Sequence, residues 1–243
     1  PFSVGFIHGT LDVTCHGDSN GSISVYAFGG TGTLNYSMDE VTFQNSNVFS
    51  NLNGGVYTIY VKDENNCVIH HNITIQEPDE LVINALVSDV VCFGGNNGAI
   101  DVTVDGGNGN NHFLWSNDET SEDLSNLANG SYSVLVVDGE GCQSIESFDV
   151  YEPTSPIIIN AAVYGTVDSL GAIDISVTGG TDGYTFSWSN GAESEDLSHL
   201  VPGTYAVTVT DDNGCVASDE FTVENSVGLK TIETSGNMLT VYP

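Results

Sequence analysis

The clearest pattern in the sequence is a short alternating stretch that occurs three times. Residues 21–28 (GSISVYAF), 98–105 (GAIDVTVD) and 171–178 (GAIDISVT) each place apolar side chains at every second position after a glycine. Because successive side chains of a β-strand point to opposite faces, this alternation predicts three half-buried strands. Each stretch leads into a pair of glycines, so the strand and its turn recur together.

The similarity extends beyond this strand and divides the chain into repeats. The segment QEP at 76–78 recurs as YEP at 151–153 and, in altered form, as VEN at 223–225. We therefore expect three modules and a C-terminal segment. Their boundaries are 1–78, 79–153, 154–225 and 226–243.

Each module contains several short strands with turns at regular spacing and one central aromatic residue. These aromatic residues are Tyr36, Trp115 and Trp188. The pattern predicts an all-β fold of three tandem immunoglobulin-like β-sandwich modules, which together would form an elongated rod. The only indication of helix is a possible single turn near residues 121–127.

The charge of the chain excludes one class of partner. It contains 33 acidic residues and only two basic ones, which gives a net charge of −31. Nucleic acids and anionic membranes attract proteins through Lys and Arg, so neither is expected as a partner. No apolar run approaches the length of a membrane-spanning helix, so direct membrane insertion is not expected either.

Four of the five cysteines occupy matched positions in the first two modules. Cys15 and Cys67 are 52 positions apart, and Cys92 and Cys142 are 50 positions apart. In each module one cysteine precedes the first alternating strand and the other follows an acidic turn. We therefore expect two disulfides, each within one module. Disulfides indicate an oxidising compartment outside the cytoplasm.

The third module departs from this arrangement. Cys215 lies where Cys67 and Cys142 lie, but the partner position holds Gly165. Cys215 is thus expected to be unpaired within the chain. It would be either a buried free thiol or one half of an intermolecular disulfide.

These residues together resemble the SprB repeat of Bacteroidota surface proteins. The third module carries most of the pattern, in GAIDISVTGG, FSWSNG and HLVPGTYAVTVTDDNGC. The first module departs most, because it has LNYSMDE where Trp is usual. The resemblance implies a large, exported and repetitive surface protein such as an adhesin. It does not imply one shared ligand.

The C-terminal segment 227–243 resembles the approach to a type IX secretion sorting domain. Such a domain typically opens with a strand ending in YPNP, and this sequence stops at Tyr242-Pro243. The resemblance implies a strand leading to a sorting domain that is absent here. The alternative is an ordinary linker strand, and the extended segment could also add a strand to a neighbouring module.

The recurring acidic turns DENNC, DGEGC and DDNGC are the candidate ion sites. Asp63, Asp138 and Asp211 open them, and carboxylate oxygens are suitable ligands for calcium. The alternative is that Asp, Asn and Gly satisfy the geometry of a hairpin turn. His70 and His71 could bind a metal, or they could be exposed strand residues.

Catalytic motifs are not found. GxSxG, HExxH and P-loop patterns are missing, so the chain is not expected to be an enzyme. No cofactor is expected, although calcium is a possibility. Asp168-Ser169-Leu170 resembles the O-glycosylation motif of Bacteroidota, which makes Ser169 a candidate for modification.

The repeats differ at positions that should face solvent. In the third module these positions are polar, as Ser176, Thr178, Thr208 and Thr210. The corresponding positions of the first two modules include five apolar residues, which form a candidate association face: Tyr26, Phe28, Tyr60, Leu135 and Val137. The alternatives are that a loop of the same chain covers them or that the strand register is shifted by one residue.

The sequence therefore predicts a structural and adhesive segment of a secreted bacterial surface protein. It would be extracellular or on the cell surface, and it would associate with itself or with other surface proteins in a filament or appendage. The alternative is a glycan-binding or stalk module of an exported protein.

Overall fold

A computed structural model describes residues 4–165, 170–225, 230–234 and 237–241. The chain divides into two compact units, and the division passes through the second repeat. The first unit comprises residues 1–87, 100–124 and 131–148. The second comprises residues 88–99, 125–130 and 149–243.

The described residues form strands and connecting turns, with no α-helix among them. The first repeat contains β1 (Gly5–Leu11), β2 (Gly21–Phe28), β3 (Asn35–Ser37), β4 (Val48–Leu52), β5 (Gly55–Lys62) and β6 (Val68–Ile75). The second contains β7 (Val82–Ser88), β8 (Gly98–Asp105), β9 (His112–Trp115), β10 (Leu124–Leu127), β11 (Gly130–Val137) and β12 (Gln143–Val150). The third contains β13 (Ile158–Tyr164), β14 (Gly171–Thr178), β15 (Thr185–Trp188), β16 (Leu197–Leu200), β17 (Gly203–Thr210) and β18 (Val216–Val223). None of the described residues belongs to a helix that is long and apolar enough to cross a membrane.

Each repeat uses the same sheet order. Its first, second and fourth strands form one three-stranded sheet, and its third, fifth and sixth strands form the other. The sheets of the first repeat are β1-β2-β4 and β3-β5-β6, and those of the third repeat are β13-β14-β16 and β15-β17-β18. The second repeat has β7-β8-β10 and β9-β11-β12. This arrangement confirms the predicted all-β fold of immunoglobulin-like modules.

The predicted inward residues form the cores of the sandwiches. In the first repeat Ile23 and Val25 of β2 pack with Ile59 and Val61 of β5, and all four are fully buried. In the third repeat Trp188 lies in the corresponding core, and its indole Nε1 donates a hydrogen bond to Ser194 O at 2.9 Å. The alternating pattern therefore identifies the buried faces correctly.

The segment interpreted as a helical turn is instead a strand, β10. Leu124 and Leu127 are both buried although they are three positions apart, a spacing typical of one helix face. The reason is Asn126, whose φ of 58° lies in the left-handed region. This conformation interrupts the regular alternation of side chains between the two faces of the strand. The fourth strands of the other repeats have the same irregularity, at Asn51 and His199.

The C-terminal segment forms a two-stranded antiparallel hairpin. Its strands are β19 (Lys230–Thr234) and β20 (Asn237–Val241), which pair with each other. Thus the described strands of this segment are paired locally. Tyr242-Pro243, on which the resemblance to a sorting-domain approach depends, lies outside the described residues, as does Ser169.

Candidate functional sites: cysteine junctions and apolar sheet faces

The structure corrects the predicted disulfide pairing. Cys15 of the first repeat is bonded to Cys142 of the second, and Cys92 of the second is bonded to Cys215 of the third. The Cα–Cα distances are 5.5 and 5.6 Å. Cys67 is the free cysteine and is exposed. The predictions that Cys67 is paired within its module and that Cys215 is unpaired are therefore wrong.

The first repeat shows why a bond within a module does not form. Cys15 lies just before β2, whereas the turn ending in Cys67 is held beside the residues that follow β2, through a hydrogen bond from Thr31 N to Asp63 Oδ2 at 3.0 Å. An eight-residue strand separates the two, and it spans roughly 26 Å. A disulfide requires Cα atoms within about 7 Å. Each linkage instead joins a repeat to the acidic turn of the next repeat.

The acidic turns (residues 63–67, 138–142 and 211–215) share one hydrogen-bonding pattern. In the second turn, Asp138 Oδ1 accepts from the backbone N–H groups of Glu140 at 3.0 Å and Cys142 at 2.9 Å. Its Oδ2 accepts from Asn108 N at 2.8 Å. The same three backbone bonds recur around Asp63 and around Asp211. Each buried aspartate therefore fixes the backbone of the cysteine four residues later.

The double glycine allows the chain to approach this aspartate. Gly106 and Gly107 have φ values of 74° and 61°, which L-residues with a Cβ rarely adopt. A Cβ on Gly106 would lie 1.9 Å from Glu80 O, and one on Gly107 would lie 3.0 Å from Asp138 Oδ2. Two glycines are thus required for Asn108 to reach the carboxylate.

These contacts favour the turn interpretation of the three aspartates over the calcium interpretation. Their oxygens are already occupied by backbone donors. At Asp63 the hydrogen bond from Cys67 N–H is the largest effect, and the pKa is below its ordinary value of 3.8. At Asp138 and Asp211 burial is the largest single effect and raises the pKa. The hydrogen bonds together outweigh burial, so the pKa is again lowered.

We expect acid to remove the contribution of these aspartates to stability. The pKa of Asp138 is lower in the folded chain than in the unfolded chain, where it is near 3.8. The stabilisation by its carboxylate is therefore complete above pH 3.8 and is lost as the pH falls through the pKa of the folded state. The difference in unfolding free energy between the wild type and Asp138→Ala should therefore be constant from pH 7 to about 5 and shrink below pH 3.8. Urea unfolding at a series of pH values measures it. A difference that does not shrink at all as the pH falls below 3.8 would contradict the assignment.

The loops that carry the other cysteines are also fixed by side chains. In the first cysteine loop (residues 14–21), Glu77 Oε1 accepts from Gly17 N at 2.6 Å, and Asn20 Oδ1 accepts from Thr14 N at 3.0 Å. In the second cysteine loop (residues 91–98), Glu152 and Asn97 make the equivalent bonds. Sequence reasoning missed this role of Glu77 and Glu152, although the recurring Glu-Pro pair was its signal.

Within the first unit, the first cysteine loop lies next to the acidic turn of the second repeat. Asn108 Nδ2 donates to Thr14 O at 3.0 Å and also to Asp138 Oδ2 at 3.0 Å. Asn108 therefore links the loop of one repeat to the turn of the next. Cys142 is buried at this junction, and Cys215 is buried likewise in the second unit, in contrast to the exposed Cys67.

The five residues of the predicted association face do not share one sheet. Tyr26 and Phe28 lie on β2, in the sheet β1-β2-β4, whereas Tyr60 lies on β5 in the opposite sheet. Ile7 is the cross-strand neighbour of Tyr26. Ile7, Tyr26 and Phe28 are 64, 59 and 59% exposed, and we call them the tyrosine surface.

A second apolar surface lies on the sheet β9-β11-β12 of the second repeat. Leu135 is half-buried and is paired in register with Leu114, which is 50% exposed. Ile145 of the neighbouring strand β12 is 67% exposed. We call Leu114, Leu135 and Ile145 the leucine surface. Val137 is half-buried two positions further along β11.

The third repeat provides a polar counterpart to the leucine surface. Its corresponding sheet carries Thr208, paired in register with Ser187 and Ser218. Thr208 Oγ1 and Ser218 Oγ lie 3.2 Å apart and are hydrogen-bonded. The same sheet position is therefore apolar in one repeat and polar in another, so the fold itself does not require the apolar residues.

The histidine pair does not form a metal cluster. The side chain of His70 contacts the ring of Tyr60, with centroids 5.5 Å apart. The ring of His71 lies near those of Phe6 and His8. No group of three or more potential His, Cys, Asp or Glu ligands occurs among the residues that the structure describes.

The recurring cysteine loop, alternating strand and aromatic third strand coincide with a known sequence family. The SprB repeat family matches residues 10–43, 84–120 and 168–193. Three segments of the chain, one in each repeat, are therefore similar to the SprB repeat. The matched segments include both cysteine loops, so the loops that bridge successive repeats are part of the shared pattern. No match is found among curated proteins.

The chain is also weakly similar to solved structures of other proteins. Three N-terminal domains of the highly immunogenic outer capsid protein of bacteriophage RB49 are 13% identical, with a TM-score of 0.44 over 93% of this chain and 100% of that one. The Ig1–Ig3 ectodomain of mouse nectin-like molecule 4 is 13% identical, with a TM-score of 0.35 over 93% of this chain and 96% of that one.

The SprB match and the two disulfides support an extracellular surface module of structural or adhesive type.

Proposed function

We propose that this chain is a structural and adhesive segment of a secreted Bacteroidota surface protein, and that copies associate through the apolar sheet faces. Successive repeats are joined by disulfides, which suits a protein that must persist outside the cell. The chain would act by binding and spacing rather than by catalysis. Other proteins of the same cell surface are the alternative partners.

The leucine surface is the observation that carries the proposal. Leu114 and Ile145 are exposed on a sheet face where the third repeat has hydrogen-bonded hydroxyl groups. Exposed apolar side chains that are clustered usually mark interaction surfaces. Burial of apolar area contributes roughly 25 cal/mol per Å² to association.

Charge explains why the contact between copies would be apolar. Every copy carries a net charge of −31, so two copies repel each other except where uncharged surfaces meet. Salt screens this repulsion over about 10 Å at 0.1 M. Association is therefore expected to strengthen as the salt concentration rises, whereas association through ion pairs would weaken.

We expect Leu135→Asp to weaken self-association by at least about tenfold in Kd, because the contact would bury an unpaired carboxylate. Light scattering and sedimentation over a range of protein concentrations measure the native mass. The wild type should exceed the mass of one chain, and the variant should return toward it.

The matched control is Thr208→Asp, which places the same charge at the corresponding position of the third repeat. It should leave the native mass unchanged. A wild type that remains at the mass of one chain at every concentration would overturn self-association. An equal loss of association in both variants would show that the effect is general repulsion.

Glycan binding is the second candidate function. The exposed rings of Tyr26 and Phe28 lie two positions apart on one strand face and could stack on sugar rings. A glycan array should then give reproducible hits that Tyr26→Ala removes. Hits that survive this substitution would point to another part of the chain.

A further inference from the structure

Cys67 lacks the disulfide partner that its two counterparts have. Cys142 and Cys215 end the acidic turns of the second and third repeats, and each is bonded to the cysteine loop of the repeat before it. Cys67 ends the same turn in the first repeat and is free and exposed. The same position is therefore bonded in both repeats that follow another repeat.

The turn around Cys67 already has the geometry of the bonded turns. Cys67 N donates to Asp63 Oδ1 at 2.9 Å, and the corresponding distances at Cys142 and Cys215 are 2.9 and 2.8 Å. Asp63 N donates to Cys67 O at 3.1 Å, against 3.0 Å in both other turns. Formation of the bond would therefore require little rearrangement of this backbone.

We propose that Cys67 is a covalent attachment site for the cysteine loop of a further SprB-type repeat placed ahead of the first repeat in the same polypeptide. The cysteine loops within the chain cannot serve, because Cys15 and Cys92 are already bonded and the third repeat has Gly165. Both observed bonds run from a repeat to the turn of its successor. The partner must therefore be a preceding repeat.

The reaction is an oxidation of two thiols to one disulfide. Each thiol loses one proton and one electron, and a disulfide such as glutathione disulfide takes up both electrons and both protons to give two thiols. Self-association would join separate copies through non-covalent contacts, whereas this disulfide would join two repeats of one polypeptide. Its test measures thiols, whereas the test of self-association measures native mass.

The experiment adds the missing repeat to the intact chain. Pro1 is replaced by a copy of residues 79–153, which also ends in Pro, and Cys142 of the copy is changed to Ser. Cys92 of the copy then precedes Cys67 by about 127 residues, close to the observed separations of 127 and 123. After oxidation with glutathione disulfide, the free thiols should fall from two to none. A peptide joining Cys92 of the copy to Cys67 should be found.

A control chain and a second fusion test whether the loss of thiols is due to a bond at Cys67. The same fusion with Cys67→Ser in the original first repeat should retain one free thiol. A second fusion uses a copy of residues 1–78 carrying Cys67→Ser, so that the result does not depend on the folding of one copy. In this second fusion, whose copy contains no Trp, the fluorescence of Trp115 and Trp188 reports whether the original second and third repeats remain folded. Two thiols that stay free in both fusions, or Cys67–Cys67 dimers in place of the internal bond, would overturn the proposal.

Discussion

Replacing Cys15 and Cys142 together by serine is expected to lower the free energy of unfolding of the linked repeats by about 4–5 kcal/mol. The bond closes a loop with a sequence separation of 127 residues, and a long closed loop restricts the unfolded chain most strongly. Trp115 reports the second repeat, since it is buried in the neighbourhood of Phe148. Urea unfolding followed by its fluorescence, in a Trp188→Phe background, measures the loss.

The control for this variant is Cys67→Ser. Because Cys67 is exposed and unbonded, its replacement should change the unfolding free energy by less than about 0.5 kcal/mol. If the bonds lay within modules instead, Cys67→Ser would destabilise the chain and Cys142→Ser would leave Cys15 bonded. Peptide mapping under non-reducing conditions separates the two pairings directly.

The second large effect is expected for Asp138→Ala, which should cost about 2–4 kcal/mol. The substitution removes the acceptor for the backbone N–H groups of Asn108, Glu140 and Cys142. Each buried donor left without a partner costs about 1–3 kcal/mol, and water entering the exposed end of the turn offsets part of this. Thermal and urea unfolding of the oxidised protein measure the loss.

Glu140→Ala is the matched control, since Glu140 lies in the same turn with an exposed side chain. It should change stability by less than about 0.5 kcal/mol. Equal effects of the two substitutions would mean that the turn depends on its overall negative charge rather than on the carboxylate of Asp138.

The sequence was sufficient for the fold because the modules are built from local alternation. Ile100 and Val102 are buried as the period of two predicts, and Trp115 fills the position expected for the central aromatic residue. The fourth strand was missed because Asn126 is left-handed and places Leu124 and Leu127 on one side. A conformation of one residue thus made a strand look like a helical turn.

The pairing of cysteines was wrong because matched spacing along the chain says nothing about position in the sandwich. The strand at 21–28 already separates Cys15 from the glycine pair, and the acidic turn is held beside that pair by Asp63. Strand length could therefore have excluded the bond between Cys15 and Cys67. Only the folded structure shows that successive repeats meet at these cysteines.

Alternation predicted that the candidate association residues face outward, but it did not predict which of them share a sheet. Outward positions can be read from alternation, whereas the assignment of a strand to one sheet or the other cannot. Tyr26 and Tyr60 are thus in different sheets, and Ile7, Leu114 and Ile145 join the two apolar surfaces only through strand pairing.

The overlap of the two disulfide loops limits how far the protein can be stretched. Without cross-links, a pull on Cys15 and Cys215 could draw out about 200 residues, or roughly 700 Å of contour length. With both bonds intact, the shortest covalent path runs from Cys15 to Cys142, backward along the chain to Cys92, and across to Cys215. That path contains about 50 residues and reaches roughly 175 Å. Under tension, even fully unfolded repeats would therefore act as a short tether with about a quarter of the extensibility.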